Sequence, residues 1–275
     1  MRVPHTRYPL RIEKSYAHTV GKAVGQVEST TLLLLKSEVK PVINRVTVND
    51  SLYNDDMIDW VESLIERLKE LILGSFTDTD AQQMVERFMS AINTSNRANV
   101  ASQIQSHELV KHSTLLSTGK PVVLAINPVA GDAQIDGYIK GKIAENVSYI
   151  KGIRDDYATK IEQIIYRGVT KGQSYGEMAE AIRHQGKMSR NRAAFIARDQ
   201  SGTIYSQMTR TRHQAAGINY FQWRGMMDER ERASHVAREG IIYNYDTADL
   251  LPGEDYGCRC TGDPVFDDEL DDSEE

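Results

Sequence analysis

The sequence predicts a mainly α protein with a small α+β C-terminal domain. Two observations predict the helices. Ile58, Val61, Leu64, Ile65, Leu68, Leu71 and Ile72 recur at spacings of three and four with charged residues between them. Ile135, Ile139, Ile143, Val147, Ile150, Ile153, Tyr157 and Ile161 repeat that pattern further on. The third observation is a change of pattern after Gly217. Aromatic Tyr220–Trp223 and β-branched Ile241–Tyr245 stand between Gly and Pro residues, which predicts two or three short strands near residues 218–262.

In chain order, residues 1–28 mix Pro, Gly, Tyr and basic side chains and read as an N-terminal arm. Residues 29–115 read as a helical N-terminal region. Its first helix starts at Ser29 or Thr30 and stops ahead of Pro41, because the residue before a proline is driven out of the α region. A loop rich in Asn and Asp covers 41–56. A helix then runs from Asp55 or Asp56 to Gly74. The next runs from about Ala81 to His107, with Met84, Val85, Phe88, Met89 and Ile92 as its apolar face. Gly119, Pro121, Pro128 and Gly131 mark a boundary over 113–131.

From Asp132 the helical pattern continues to about Tyr166, weakened at Gly137, Gly141 and Gly152. Ser174 and Glu177 form a capping box for a short helix ending at Gly186. Ser189 caps another that ends near Gly217. Asp228 and Glu231 repeat the capping logic before a short turn carrying His235, and Gly240 suits its end. Residues 263–275 are an acidic tail, expected to be disordered.

The chain has 275 residues and a net charge of −6. Its longest aliphatic run, Leu32–Leu35, falls far short of the roughly 20 residues a membrane span needs. The N-terminus lacks the apolar core of a signal peptide, so a cytoplasmic protein without membrane contact is expected. Cys258 and Cys260 are one residue apart, and a bridge between them would close a small strained ring, so reduced thiols are expected. Arg183 to Arg238 holds ten Arg and one Lys against four acids, whereas residues 263–275 hold eight acids and no base. Such blocks suit nucleic-acid contact, partner contact, or a solvated face.

The order of motifs in the last part of the chain is distinctive. It runs Gly172, Ser174, Glu177, then Ala197-Arg198-Asp199, then an aromatic strand ending at Trp223. Asp228-x-Arg230-x-Arg232-x-x-His235, Gly240, Pro252-Gly253 and Cys258-Arg259-Cys260 follow. The set resembles the minor head morphogenesis proteins of tailed bacteriophages, the family named after the F protein of phage Mu, over about residues 132–262. That family often shows Ala-Arg-Thr-Glu where this chain has Ala197-Arg198-Asp199-Gln200, so the role of an acid there passes to Asp199. An Asn often precedes the final Cys-Arg-Cys, and here it is Gly257.

The resemblance implies a minor head, or minor capsid, protein: a structural and assembly factor associated with the portal or the capsid interior. Its implied partners are the portal protein, capsid or scaffolding protein and, in some members, packaged DNA. Its implied place is the virion head near the portal, after assembly in the host cytoplasm.

Arg198, Asp199, Trp223, Asp228, Arg230, Arg232 and His235 are the candidate structural polar cluster, with an Arg fork expected on Asp228 or Asp199. His235, Cys258 and Cys260 are candidate zinc ligands, with Asp228, Asp249, Asp255 or water as the fourth. The competing expectation is that no cofactor binds, that His235 orders a loop by hydrogen bonding, and that the two Cys face opposite sides of a short strand. Arg183, Arg190, Arg192, Arg210 and Arg212 are candidate DNA or partner contacts, alternatively a solvated helix face. No catalytic residue is assigned. The alternative functions are a metal- or thiol-dependent hydrolase using Asp228, His235 and the cysteines, and a non-specific DNA-binding module.

Overall fold

The computed structural model describes residues 3–46, 55–118, 132–267 and Leu270. Among them the helices are α1 (Leu10–Leu34), α2 (Lys40–Val46), α3 (Asp55–Ser75), α4 (Asp78–Thr118), α5 (Asp132–Thr170), α6 (Tyr175–Ala215) and α7 (Ala233–Val236). The strands are β1 (Tyr220–Arg224), β2 (Ile242–Asn244) and β3 (Thr261–Val265). The mainly α character and the small C-terminal sheet agree with the sequence reading. The boundary expected over 113–131 is helical as far as Thr118, the end of α4; its remaining residues, 119–131, and the tail over 271–275 lie outside the described residues.

Three elements differ from expectation. Residues 10–28 are not an extended arm but most of α1, because Tyr16, Val20, Val24 and Val27 form a buried stripe. Pro41 does not end the first helix. A π turn over Leu35–Val39, in which the Lys40 N–H bonds the Leu35 carbonyl, leads into α2. The wider turn gives room around the proline ring, whose nitrogen brings no N–H to the ladder. Finally, α6 does not break at Gly186. A glycine costs a helix only about 1 kcal/mol. Here the bare position faces the Glu28 carboxyl, whose carbon a Cβ would meet at 2.6 Å and whose Oε2 would lie closer still.

The chain divides into two compact units. One comprises Ser15–Val85 and Glu145–Ile196, and among its described residues the regular elements are all helices. Its core joins the stripe of α1 to Val61, Leu64, Ile65, Leu68 and Ile72 of α3, and to Ile150, Ile153, Tyr157, Ile161 and Ile165 of α5. The buried Arg154 guanidinium donates to the Phe76 carbonyl at 3.0 Å and to Asp78 at 2.7 Å. It thus ties α5 to the start of α4. The Ser174–Glu177 capping box forms as expected, with Glu177 N–H donating to Ser174 Oγ at 3.3 Å and Ser174 N–H to Glu177 Oε2 at 2.7 Å.

The other unit comprises Met1–Lys14, Glu86–Ala144 and Ala197–Glu275. It draws on residues from both sides of the boundary read at 113–131. Its sheet is antiparallel in the order β2-β1-β3. Phe221 pairs with Tyr243 on one side and Pro264 on the other. β3 is an edge strand, which is where proline is tolerated. The segment before α1 covers that edge. Thr6 N–H donates to Asp263 Oδ1 at 2.7 Å, Thr6 Oγ1 donates to the Gly262 carbonyl at 2.7 Å, and Thr261 Oγ1 donates to the Thr6 carbonyl at 3.2 Å. Asp263, read from sequence as the first residue of a disordered tail, is therefore buried. Its carboxylate also takes His5 Nδ1 at 2.5 Å and Arg224 Nε at 2.9 Å.

The polar half of α4 buries one polar face, with Asn96 and Gln103 inside while Thr94, Arg97, Ser102 and Gln105 stay exposed. Asn96 Nδ2 donates to Thr209 Oγ1 at 2.6 Å, and Arg212 donates to Asn96 at 2.6 Å and to Asn93 at 2.7 Å. His213 Nε2–H donates to Gln103 Oε1 at 3.2 Å, which leaves Nδ1 to accept from the Tyr245 hydroxyl at 2.8 Å. Burial pushes the His213 pKa down to about 3. The unfolded chain then takes up a proton below about pH 6.5 that the folded chain refuses, so stability is full above that pH and falls as pH drops toward 3. Between pH 6.5 and 5 the loss from this residue is about 2 kcal/mol. His213→Gln is expected to remove that part of the slope when melting is compared at the two pH values; an unchanged slope would count against a buried neutral imidazole.

Candidate functional site: a His–Cys–Cys cluster in the C-terminal unit

The site grows from the C-terminal sheet. Phe221 and Trp223 alternate with half-buried Tyr220, Gln222 and Arg224 along β1, so their rings face inward with Tyr245, Leu251, Cys258 and Cys260. After β1 the chain makes a loop in which Met227 adopts φ 53°. Glu231 steadies that loop by accepting the Met227 N–H. α7 then presents His235 beside Trp223, with ring centroids 5.4 Å apart and edge to face. From the other direction, the segment from Pro252 to Cys260 packs on α6. Gly253 takes φ +87° and Gly257 takes φ +65°, conformations that favour glycine. Gly202 of α6 has no side chain because the Cys258 carbonyl oxygen would lie 2.3 Å from its Cβ.

These constraints bring His235, Cys258 and Cys260 together. Both Sγ atoms lie 3.5 Å from His235 Nδ1. The two thiols are 4% exposed and His235 2%. They precede β3 and turn to the same imidazole, which corrects the expectation that they face opposite sides of a strand. The hydrogen bond from the Cys260 thiol is the main cause holding the Cys258 pKa down at about 6. The same bond, with burial and the Glu231 carboxylate, pushes Cys260 up. Cys260 Sγ also contacts Glu231 Oε1 at 3.2 Å. On the outer side, His235 Nε2 is 2.8 Å from Asp255 Oδ2.

The remaining residues of the polar cluster disperse to separate partners. Asp228 is paired with the guanidinium of Arg259, the central residue of Cys-Arg-Cys, and not with the side chain of Arg198, Arg230 or Arg232; that ion pair holds its carboxyl below the usual range. Arg230 contributes its backbone N–H to Asp228 at 3.1 Å. Arg232 donates to the Tyr256 carbonyl at 2.7 Å. Asp199 accepts the Gly257 N–H at 2.9 Å, so it anchors the turn before Cys258. Arg198 lies 3.9 Å from Glu13, which also takes the Tyr8 hydroxyl at 2.7 Å. Arg238, which the sequence reading passed over, grips Asp249 with two bonds of 2.8 and 2.6 Å and stacks its guanidinium over Trp223. Asp228 and Asp249 are therefore engaged elsewhere, and Asp255 lies on the far nitrogen of His235. Glu231 is the carboxylate beside the sulfurs.

The basic candidates are also placed. Arg183 pairs with Glu180, Arg190 with Glu28, Arg192 with Asp156 and Arg210 with Asp246. Arg212, 1% exposed, belongs to the buried network with Asn93 and Asn96 and does not reach the surface. Each exposed cation of the set thus already faces a carboxylate, which lowers its attraction for phosphate. Among the described residues no helix is long and apolar enough to cross a membrane.

Fold and site together define a class: a largely helical protein whose small antiparallel sheet is closed by a His–Cys–Cys cluster and by carboxylate–arginine ties. Residues 159–262 match the family described as Phage Mu protein F like protein. An uncharacterized protein of Haemophilus influenzae is 30% identical over an alignment 220 residues long that covers 74% of this chain and 49% of that protein. A protein of Enterococcus faecalis named NAD(+)--arginine ADP-ribosyltransferase EFV is 29% identical over 131 residues, covering 42% of this chain and 27% of its own length. An uncharacterized protein of Methanocaldococcus jannaschii is 29% identical over 117 residues, covering 42% and 18%. The chain spans about half the length of the Haemophilus relative and less of the other two. No solved structure matches it.

Proposed function

We propose that this chain is a minor head protein of a tailed bacteriophage or a prophage-derived element: a structural and assembly factor held at the portal or inside the capsid. The observation that carries the reading is the Mu F-like match over residues 159–262. The chemistry of the C-terminal unit supports it. A thiol-dependent hydrolase needs a nucleophile that substrate can reach, and Cys258 and Cys260 are buried. The Asp228 of the alternative catalytic set is paired with Arg259 instead of His235. Polar groups here close loops onto the sheet and onto α6, which suits a rigid docking module better than a reacting one. The similarity to the Enterococcus protein spans 27% of that protein, and the reading takes no transferase activity from it.

Portal, capsid or scaffolding protein is the proposed partner, and the virion head is the proposed location. Contact with packaged DNA is the weaker part, because Arg183, Arg190, Arg192 and Arg210 are paired internally. Deleting the reading frame from a phage or prophage that carries it tests the proposal. Head particles are expected to form defectively or without infectivity while tails stay normal. Normal, infectious heads would contradict it.

A further inference from the structure

We propose that His235, Cys258 and Cys260 bind a divalent transition metal, zinc by preference, which staples α7 to the segment entering β3. The three ligand atoms all lie within 4.8 Å of one another. Around tetrahedral zinc, with Zn–S about 2.3 Å and Zn–N about 2.0 Å, a nitrogen and a sulfur ligand sit roughly 3.5 Å apart. Both Nδ1–Sγ separations here are 3.5 Å.

The protonation pattern points the same way. Asp255 Oδ2 at 2.8 Å from Nε2 fixes the ring proton on that nitrogen, because a carboxylate only accepts. His235 Nδ1 is then a bare lone pair, aimed at two sulfurs. The Cys260 S–H already has the Glu231 carboxylate as an acceptor at 3.2 Å, so hydrogen bonding leaves Nδ1 at most the Cys258 S–H, whereas a cation at the centre uses all three groups. The carboxylate on the far nitrogen is the partner that metal-bound imidazoles ordinarily have, since it orients the ring and raises its basicity. Two thiolates and an imidazole select zinc-like metals over magnesium or calcium, which prefer oxygen. The Glu231 carboxylate, 3.2 Å from Cys260 Sγ, lies beside the fourth position.

The staple would join residues 23 and 25 positions apart that are otherwise tied only through hydrogen bonds and packing. Binding releases the thiol protons to solvent and leaves the metal's oxidation state unchanged. The role is structural: the three protein ligands are buried, and the metal closes the loop against Trp223.

The test uses the full chain, purified without chelator from zinc-supplemented cells. Elemental analysis is expected to find stoichiometric zinc. Replacing it with Co²⁺ is expected to give thiolate-to-cobalt charge-transfer bands and the d–d bands of a tetrahedral site. Cys258→Ser is expected to abolish both. Because that variant risks misfolding, Asp255→Asn provides a second arm: its carboxylate touches only the far nitrogen. It is expected to weaken Co²⁺ binding about 10- to 100-fold while leaving the band positions in place. A folded chain that carries no zinc and shows no thiolate bands on Co²⁺ titration overturns the proposal. So does an intact-mass measurement finding Cys258 and Cys260 joined as a disulfide in protein from the same cells, or an Asp255→Asn variant that binds Co²⁺ as tightly as the parent.

Discussion

Gly202→Ala is expected to destabilise the C-terminal unit by about 2 kcal/mol, a fall in melting temperature of roughly 4–8 °C. Two effects oppose each other at this position. Gly202 lies inside α6, and alanine in a helix interior gains up to about 1 kcal/mol over glycine. Against that, a Cβ would stand 2.3 Å from the Cys258 carbonyl oxygen. That oxygen belongs to backbone, which cannot rotate away as a side chain does. Gly253 shuts the remaining route, because its own Cβ position lies 2.6 Å from the Gly202 carbonyl oxygen and its φ is +87°. The Cys258 segment must therefore lift off α6, and overpacking of this kind costs about 1–3 kcal/mol or more. A second readout follows from the position of the clash: the Cys258 thiol, 4% exposed in the parent, is expected to react faster with a thiol reagent. A variant that melts higher, with thiols as protected as before, would show that helix propensity wins and that the close approach is not a constraint.

Asp263→Ala is expected to cost about 2–3 kcal/mol and to free the segment before α1. Its carboxylate accepts from Thr6 N–H, Arg224 Nε and His5 Nδ1, and its side chain is 9% exposed. Removing one partner of a buried ion pair costs about 3–5 kcal/mol. The lower figure applies here because Arg224 and His5 are partly exposed and water takes over some of their bonds. Asp263→Asn keeps one acceptor oxygen and is expected to lose less. Limited proteolysis reads the local effect, with cleavage ahead of Tyr8 appearing in the alanine variant. Unchanged melting together with a protected N-terminal segment would mean that the edge of β3 is held by packing alone.

Asp263 also shows where sequence reading reaches its limit. Within a run of acids it looks solvated, since nothing local separates it from Asp267 and the acids that follow. Only its partners, more than two hundred residues away in Thr6 and His5, distinguish it. Features set by local physics were legible. The stripe from Val61 to Ile72 has one buried face, Ser174 and Glu177 form a capping box, and aromatic Tyr220–Trp223 is a strand. Features set by long-range pairing were not. The polar half of α4 shows only a sparse apolar stripe, Val100 and Ile104, because Asn96 and Gln103 share its buried face and spend their amides on Thr209, Thr6 and His213. The expected fork on Asp228 was Arg198, Arg230 or Arg232, yet the fold brings Arg259 to it.

The candidate site was half visible. His235, Cys258 and Cys260 stand out as residue types, and the fold does gather them. Their side of the chain did not follow from sequence, because alternation holds for strands and Cys258–Cys260 precedes β3. Glu231 and Asp255 acquire their positions on either side of the imidazole and sulfurs only once the loop is closed. Gly202 gave no signal in a stretch that otherwise reads as ordinary helix.

The measurement that bears most directly on the central claim is the protein composition of purified procapsids and heads from a phage or induced prophage that carries this gene. The chain is expected in both, at low copy relative to the major capsid protein, and to co-purify with the portal protein after the shell is disrupted. Its absence from procapsids and heads alike, in cells where the folded chain accumulates, would contradict a minor head protein.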